Sequence, residues 1–125
     1  MSLNKIILSL GSNRESEANI RQSDELLCSY LTSVTFSEAV YTEAVGLPEG
    51  GVFLNQVAIG YTEEQPETIR QALKQMERQL GRTPEGKAKG CIPIDIDLLQ
   101  WNELVLKPAD LEREYIVSLL STLGW

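Results

Sequence analysis

Histidine does not occur in the 125 residues, which removes the commonest acid/base group and metal ligand available near neutral pH. Any chemistry therefore rests on carboxylates, Lys, Arg, Tyr or a bound metal. Cysteine occurs only as Cys28 and Cys91, too few for a disulfide framework and without the paired spacing of a zinc site, so both are expected as reduced thiols. Long apolar runs are also missing. Ile6-Ile7-Leu8 and Leu98-Leu99 break off far short of the roughly 20 residues that span a bilayer, and no membrane partner is expected. Met1-Ser2-Leu3-Asn4-Lys5 lacks the basic and apolar regions of a secretion signal, so a cytoplasmic location is expected. Positive charge is scarce, with 11 Lys and Arg against 18 Asp and Glu and a net charge of −7. Duplex nucleic acid, which needs clustered cations, is not expected as a partner. A small phosphorylated ligand remains open, because it needs only a few local cations and a metal.

What is present suits one domain over residues 1–125, since 42% of the residues are hydrophobic and the length supports a single core. Residues 5–10 alternate as a strand and end in the turn composition Gly11-Ser12-Asn13. Ile20, Leu27 and Leu31, flanked by Leu26 and Tyr30, predict a helix over residues 15–31. Residues 34–41 and 53–61 read as strands around a loop containing Gly46, Pro48, Gly50 and Gly51. Ile69, Ala72, Leu73, Met76 and Leu80 form a helical stripe with Pro66 before it and Gly81 after it. Residues 81–93 show no periodicity and read as a mobile loop. A strand over 94–99 and an amphipathic tail over 110–123 complete the order β-α-β-β-α-β. That order predicts an α+β fold of the ferredoxin-like split βαβ type, an antiparallel sheet with its helices on one face. Many functions share this plan, so the activity must be read from side chains.

Asp95 and Asp97 alternate with Ile94, Ile96 and Leu98, which puts both carboxylates on one strand face roughly 7 Å apart. Such a pair suits magnesium carrying nucleotide phosphates, an ion that takes one or two carboxylates and fills its octahedron with water and phosphate. An outer strand face that merely happens to be acidic fits the same pattern. Phe53 and Asn55 also share a face, an aromatic plate beside an amide, suited to a flat heterocycle or equally to ordinary packing. Arg82, Lys87 and Lys89 bring cations into the loop after the second helix, where they either handle phosphate or are solvated. Gly11-Ser12-Asn13 resembles an anion-binding turn only in outline, and Glu77 fits a surface salt bridge as well as a ligand role.

Together, Leu8-Ser9-Leu10-Gly11-Ser12-Asn13, Tyr41-Thr42, Phe53-Leu54-Asn55, Gly81-Arg82 and Ile94-Asp95-Ile96-Asp97-Leu98-Leu99 resemble the hydroxymethyldihydropterin pyrophosphokinases of folate biosynthesis over nearly the whole chain. The resemblance implies a transferase that moves pyrophosphate from ATP to the hydroxymethyl oxygen of a reduced pterin, releases AMP and uses two Mg2+ ions. It implies that Asp95 and Asp97 hold the metal, that Asn55 and the backbone around Thr42 read the pterin, and that Phe53 stacks on it. Tyr115, in Arg113-Glu114-Tyr115, falls where a second aromatic closes the other face. Glu77 and Leu98 fall at nucleotide-binding positions, and Arg82 at a phosphate-handling arginine.

The chain reads as a short and partly divergent member. Where the family loop carries a tryptophan and a second arginine, this chain has Lys89 and Ile92, and Ala109 stands in place of a phosphate-contacting histidine. In an active enzyme, Lys87, Lys89 and Arg82 are expected to substitute for the missing loop cations, though an ammonium does not reproduce bidentate guanidinium geometry. The alternative is a homologue that binds pterin or nucleotide with little or no turnover.

Overall fold

The computed structural model describes residues 2–43 and 51–124. The alternating start forms β1 (Asn4–Ser12), longer than its apolar pattern because the strand continues through Gly11 and Ser12. Helix α1 (Ser16–Tyr30) follows. The strand expected over 34–41 is broken into β2 (Ser33–Phe36) and β3 (Val40–Glu43). Ser37 causes the break. Its N–H donates to Val57 O at 2.9 Å, while its hydroxyl accepts the Val57 N–H at 3.0 Å, so a side chain replaces the ladder locally. Strand β4 (Val52–Thr62) precedes α2 (Pro66–Gln79). Gly46, Pro48 and Gly50 of the intervening loop lie outside the described residues.

The segment read as a mobile loop over 81–93 contains a short helix, α3 (Pro84–Ala88). Its start is chemically ordinary: Pro84 sits in the first turn, and the Thr83 side chain caps by accepting the Gly86 N–H at 3.0 Å. Strands β5 (Asp95–Trp101) and β6 (Leu104–Val105) come next. The tail divides into α4 (Pro108–Leu111) and α5 (Glu114–Thr122). No helix among the described residues is long and apolar enough to cross a membrane.

The strands make one antiparallel sheet in the order β2-β4-β1-β5-β6, with β3 also paired to β4. This is the α+β plan expected, with α1 and α2 on one face. There Ile20, Leu27, Ile69, Leu73 and Met76 pack on Ile6, Leu8, Leu10, Ala58, Ile96 and Leu98. The tail adds cover on the opposite face. Ile116, Leu119 and Leu120 of α5 pack on Ile7, Val57, Ile59 and Leu99. Leu99 shares that face with Asp95 and Asp97 by strand alternation, and at Leu99 the β1–β5 register shifts between Ile7 and Leu8, a bulge that inserts one extra residue in β5.

Under α1, Asp24 is half-buried with its Oδ1 lacking a hydrogen-bond partner among the described residues. Burial pushes its carboxyl up to about 6, only partly opposed by Gln56. A folded-state value above the ordinary 3.8 means the folded chain holds the proton more tightly. The ionised group therefore costs stability above about pH 6, and the cost vanishes below about pH 4. Asp24→Asn is expected to stabilise the protein by about 1 kcal/mol at pH 8, after discounting for solvent near a half-exposed group. Urea melts at pH 8 and pH 4 check this; an equal gain at both pH values would show that ionisation is not the cause.

Candidate active site

The face that α5 covers changes character along the strands. In β1 the residues pointing to it run Ile7, Ser9, Gly11; in β4 they run Ile59, Val57, Asn55, Phe53; in β5 they run Leu99, Asp97, Asp95. The register sets Gly11 opposite both Asn55 and Asp95, and Ser9 opposite Val57 and Asp97. One end of the face is thus an aliphatic floor under α5, and the other is an open polar row.

Over that row lies a pocket of about 220 Å³ whose walls include Gly11, Thr42, Phe53, Asn55, Asp95, Asp97, Arg113 and Tyr115. Gly11 is a floor residue rather than an anion-binding turn. A Cβ there would stand 3.3 Å from Asn55 Oδ1, a tight approach, and 3.5 Å from the Phe53 ring, an ordinary contact, so its absence gives room to the Asn55 amide. The Asn55 amide nitrogen donates to Thr42 Oγ1 at 2.5 Å and to Phe53 O at 3.1 Å. Its carbonyl oxygen has no partner among the described residues and is left to accept from a ligand. Tyr115, at the start of α5, is half-buried, and burial raises its phenol above the ordinary value.

A second, larger pocket of about 620 Å³ runs along the edge of β5 that β6 leaves unpaired. Phe53, Asp95 and Asp97 line both pockets. Arg70, Lys74, Arg82, Lys87 and Lys107 bring five of the chain's 11 basic residues to this second space. The same lining carries the carboxylates of Glu67, Glu77, Asp95 and Asp97, so this trough sets cations and anions beside one another.

The carboxylates are individually paired. Arg82 Nη1 lies 2.7 Å from Asp95 and 3.2 Å from Glu77, and Lys107 Nζ lies 3.5 Å from Asp97. Burial alone would lower the Arg82 pKa, but Asp95, Glu77 and Asp97 outweigh it and hold the guanidinium above its ordinary value. Asp97 is pushed up to about 6, first by burial and then by the neighbouring Asp95 charge, with Lys107 opposing. The row thus carries negative charge that its own cations do not fully neutralise. This fits a divalent cation held by two carboxylates, the way magnesium is usually bound. Among the described residues no cluster of three or more His, Cys, Asp or Glu forms a self-sufficient metal cage, so a metal on these two carboxylates would take its remaining ligands from water or a bound phosphate.

A family model described as 7,8-dihydro-6-hydroxymethylpterin-pyrophosphokinase (HPPK) matches residues 7–124. The chain belongs to this family. It is also 32% identical, over 97 residues and 76% of its length, to a folate synthesis bifunctional protein of Arabidopsis thaliana, of whose length the match spans 20%.

Set against the family resemblance, the structure brings Thr42, Phe53, Asn55 and Tyr115 around one pocket, and Glu77, Arg82, Lys87 and Leu98 around the other. Lys89, the residue following α3, lines neither pocket. Ala109, on α4, also lies outside both. Ile92, where the family carries an arginine, is buried in the wall of the larger pocket. Asn13 holds this segment in place: it donates from its backbone N–H to Ile92 O (3.0 Å) and from Nδ2 to Gly90 O (2.6 Å), and its Oδ1 accepts the Ile92 N–H (2.7 Å). The turn Gly11-Ser12-Asn13 is therefore half floor and half clamp.

Arg70, Lys74 and Lys107 are trough residues that sequence reasoning did not single out. For the first two a signal existed, since Arg70, Lys74 and Glu77 recur at helical spacing beside the apolar stripe of Ile69, Leu73 and Met76.

Glu77 is not a surface salt-bridge residue. It is 8% exposed, and besides meeting Arg82 it accepts the Ile96 N–H at 2.8 Å, thereby satisfying a donor on the open edge of β5. Burial raises its pKa, with Ile96 and Arg82 opposing and the two aspartates adding to the rise. Glu77→Ala leaves that N–H and the guanidinium without their partner and is expected to cost about 1–3 kcal/mol. Glu77→Gln, which keeps an acceptor, should cost less. Chemical denaturation of the two variants distinguishes them, and equal losses would mean that the hydrogen bond to Ile96 contributes nothing.

Proposed function

We propose that this chain is a pterin pyrophosphokinase that transfers the terminal pyrophosphoryl group of ATP to the hydroxymethyl oxygen of a reduced pterin, in folate biosynthesis. The observation that carries the reading is the meeting of the two pockets at Asp95 and Asp97. A flat aromatic and amide slot and a cation-lined trough open onto the same two carboxylates.

In this reading the pterin lies between Phe53 and Tyr115, whose rings supply stacking surface. Asn55 Oδ1, its amide nitrogen already committed to Thr42 and Phe53, accepts from an N–H on the heterocycle edge. That acceptor selects a ring with an amide or amino donor at that edge and orients its hydroxymethyl arm toward Asp95 and Asp97. The triphosphate occupies the trough, where Arg82 and Lys87 neutralise phosphate oxygens and Leu98 offers apolar surface near the trough wall. Asp95 and Asp97 would hold Mg2+, two ions by the family pattern. When bound there, the metal would supply charge neutralisation to the phosphates during an in-line displacement. The hydroxymethyl oxygen forms a bond to the β-phosphorus as the bond from that phosphorus to the α-bridging oxygen breaks. AMP leaves with the electron pair, and the hydroxyl proton passes to solvent. The protein's share is positioning and charge.

A second reading, a pterin binder with slow transfer, is favoured by Ile92, an aliphatic side chain in the trough wall where the family places a guanidinium. The two readings share the pterin slot and differ only in rate. AMP release with pterin present separates them, because binding alone makes none.

Asp95→Ala and Asp97→Ala should each abolish magnesium-dependent nucleotide binding while leaving the melting transition in place, since both carboxylates face the pockets rather than the core. Titration calorimetry with Mg2+ and a non-hydrolysable ATP analogue tests this; wild-type affinity in either variant would remove that residue from the metal site. Asn55→Ala should weaken pterin binding by about 1–3 kcal/mol, the cost of leaving a ligand's polar group unpaired, with nucleotide affinity little changed. A loss of the same size for both ligands would assign Asn55 to scaffolding.

A further inference from the structure

We infer that Lys107 is a phosphate ligand of the trough, held against Asp97 as a tethered counter-ion until a metal takes that place. The inference rests on the proposed reaction but assigns a residue that the family resemblance does not.

The position of Lys107 is set by its backbone. Its N–H and that of Leu106 both donate to Leu99 O, at 3.2 and 2.9 Å, and its own carbonyl accepts the Leu111 N–H at 3.2 Å. The Cα is thereby pinned between the β5 bulge and the first turn of α4, so the side chain projects from a fixed origin into the trough. The stem is well placed and the head is not locked. Its ammonium lies 3.5 Å from Asp97 Oδ1, and the two side chains are 40% and 29% exposed. Charge-assisted N–H···O bonds run about 2.7–2.9 Å, so this pair is loose, and partly exposed pairs of this kind contribute little to stability.

That looseness has a consequence for a filled site. A divalent cation on Asp97 repels an ammonium at this distance, and the ammonium must then find other anions. Phosphate oxygens in the same trough are within reach of a four-carbon stem, and a compact ammonium with three donors suits them without a fixed approach angle. The trough so gains a cation beyond Arg82 and Lys87, from a chain segment that follows β6 and not from the loop that carries Ile92.

The test uses Mn2+ as the metal probe and a non-hydrolysable ATP analogue, with Lys107→Met and Lys107→Arg beside the wild type. Mn2+ alone is followed by its paramagnetic resonance signal, and nucleotide by calorimetry at saturating Mn2+. Lys107→Met, which keeps the stem, should bind Mn2+ alone several-fold tighter, because the competing counter-ion is gone. It should bind the metal-nucleotide about 10–100-fold more weakly, the range for losing a charged hydrogen bond. Lys107→Arg should retain most of the nucleotide affinity, and thermal melts should show all three proteins folded. Tighter binding of both metal and metal-nucleotide in Lys107→Met would reduce Lys107 to a counter-ion and overturn the inference, as would unchanged binding of both. A wild type that binds Mn2+ but no nucleotide would instead overturn the proposed function itself.

Discussion

The site depends on the register of β1 between β4 and β5. Because side chains alternate with a period of two, a slip of one residue in either pairing would send the row of Asn55, Gly11 and Asp95 to the helix-covered face and bring leucines out. The register is strongly specified, since both faces carry apolar contacts that a slip would break: Ile6, Leu8 and Leu10 under α1 and α2, and Ile7 with Val57 and Ile59 under α5. Packing at one end of the sheet thus positions polar groups at the other. Gly11 sits where the two requirements meet, at a point where a Cβ would crowd the Asn55 amide.

Electrostatics then divides the open end into two. Asp95 and Asp97 cannot be screened by water alone, and each has a cation drawn from a different part of the chain: Arg82 from the residues after α2 and Lys107 from those after β6. Glu77 ties Arg82 to the backbone of β5, so the guanidinium is held by two carboxylates and is the more rigid of the two cations. Lys107 is looser. The pairing holds the carboxylates in place, and burial first, with the Asp95 charge second, keeps the Asp97 pKa raised against the opposing Lys107 charge.

The segment from Gly81 to Ile94 carries two of the departures from the family pattern, Lys89 and Ile92. It is ordered by the α3 cap at Thr83 and by the Asn13 clamp on Gly90 and Ile92. These anchors put Lys87 in the trough and leave Lys89 out of it, although the two residues are close in sequence. The proposed phosphate site therefore draws on α2 and Lys107 as much as on this segment.

Alternation and helical spacing alone determined the strands, the two long helices and the shared face of Asp95 and Asp97, because period 2 and period 3.6 are local properties of the chain. The motif set determined the family, and with it the grouping of Asn55, Phe53 and Tyr115. Other features were decided only by tertiary structure. The split of residues 33–43 into two strands follows from the contacts of Ser37 with Val57, a partner 20 residues away. Burial of Glu77 follows from the open edge of β5, which no pattern within α2 reveals. The placing of Lys107 against Asp97 and the exclusion of Lys89 depend on where β6 and α3 return the chain. Such proximity is a matter of closure between distant segments, and local periodicity carries no information about it.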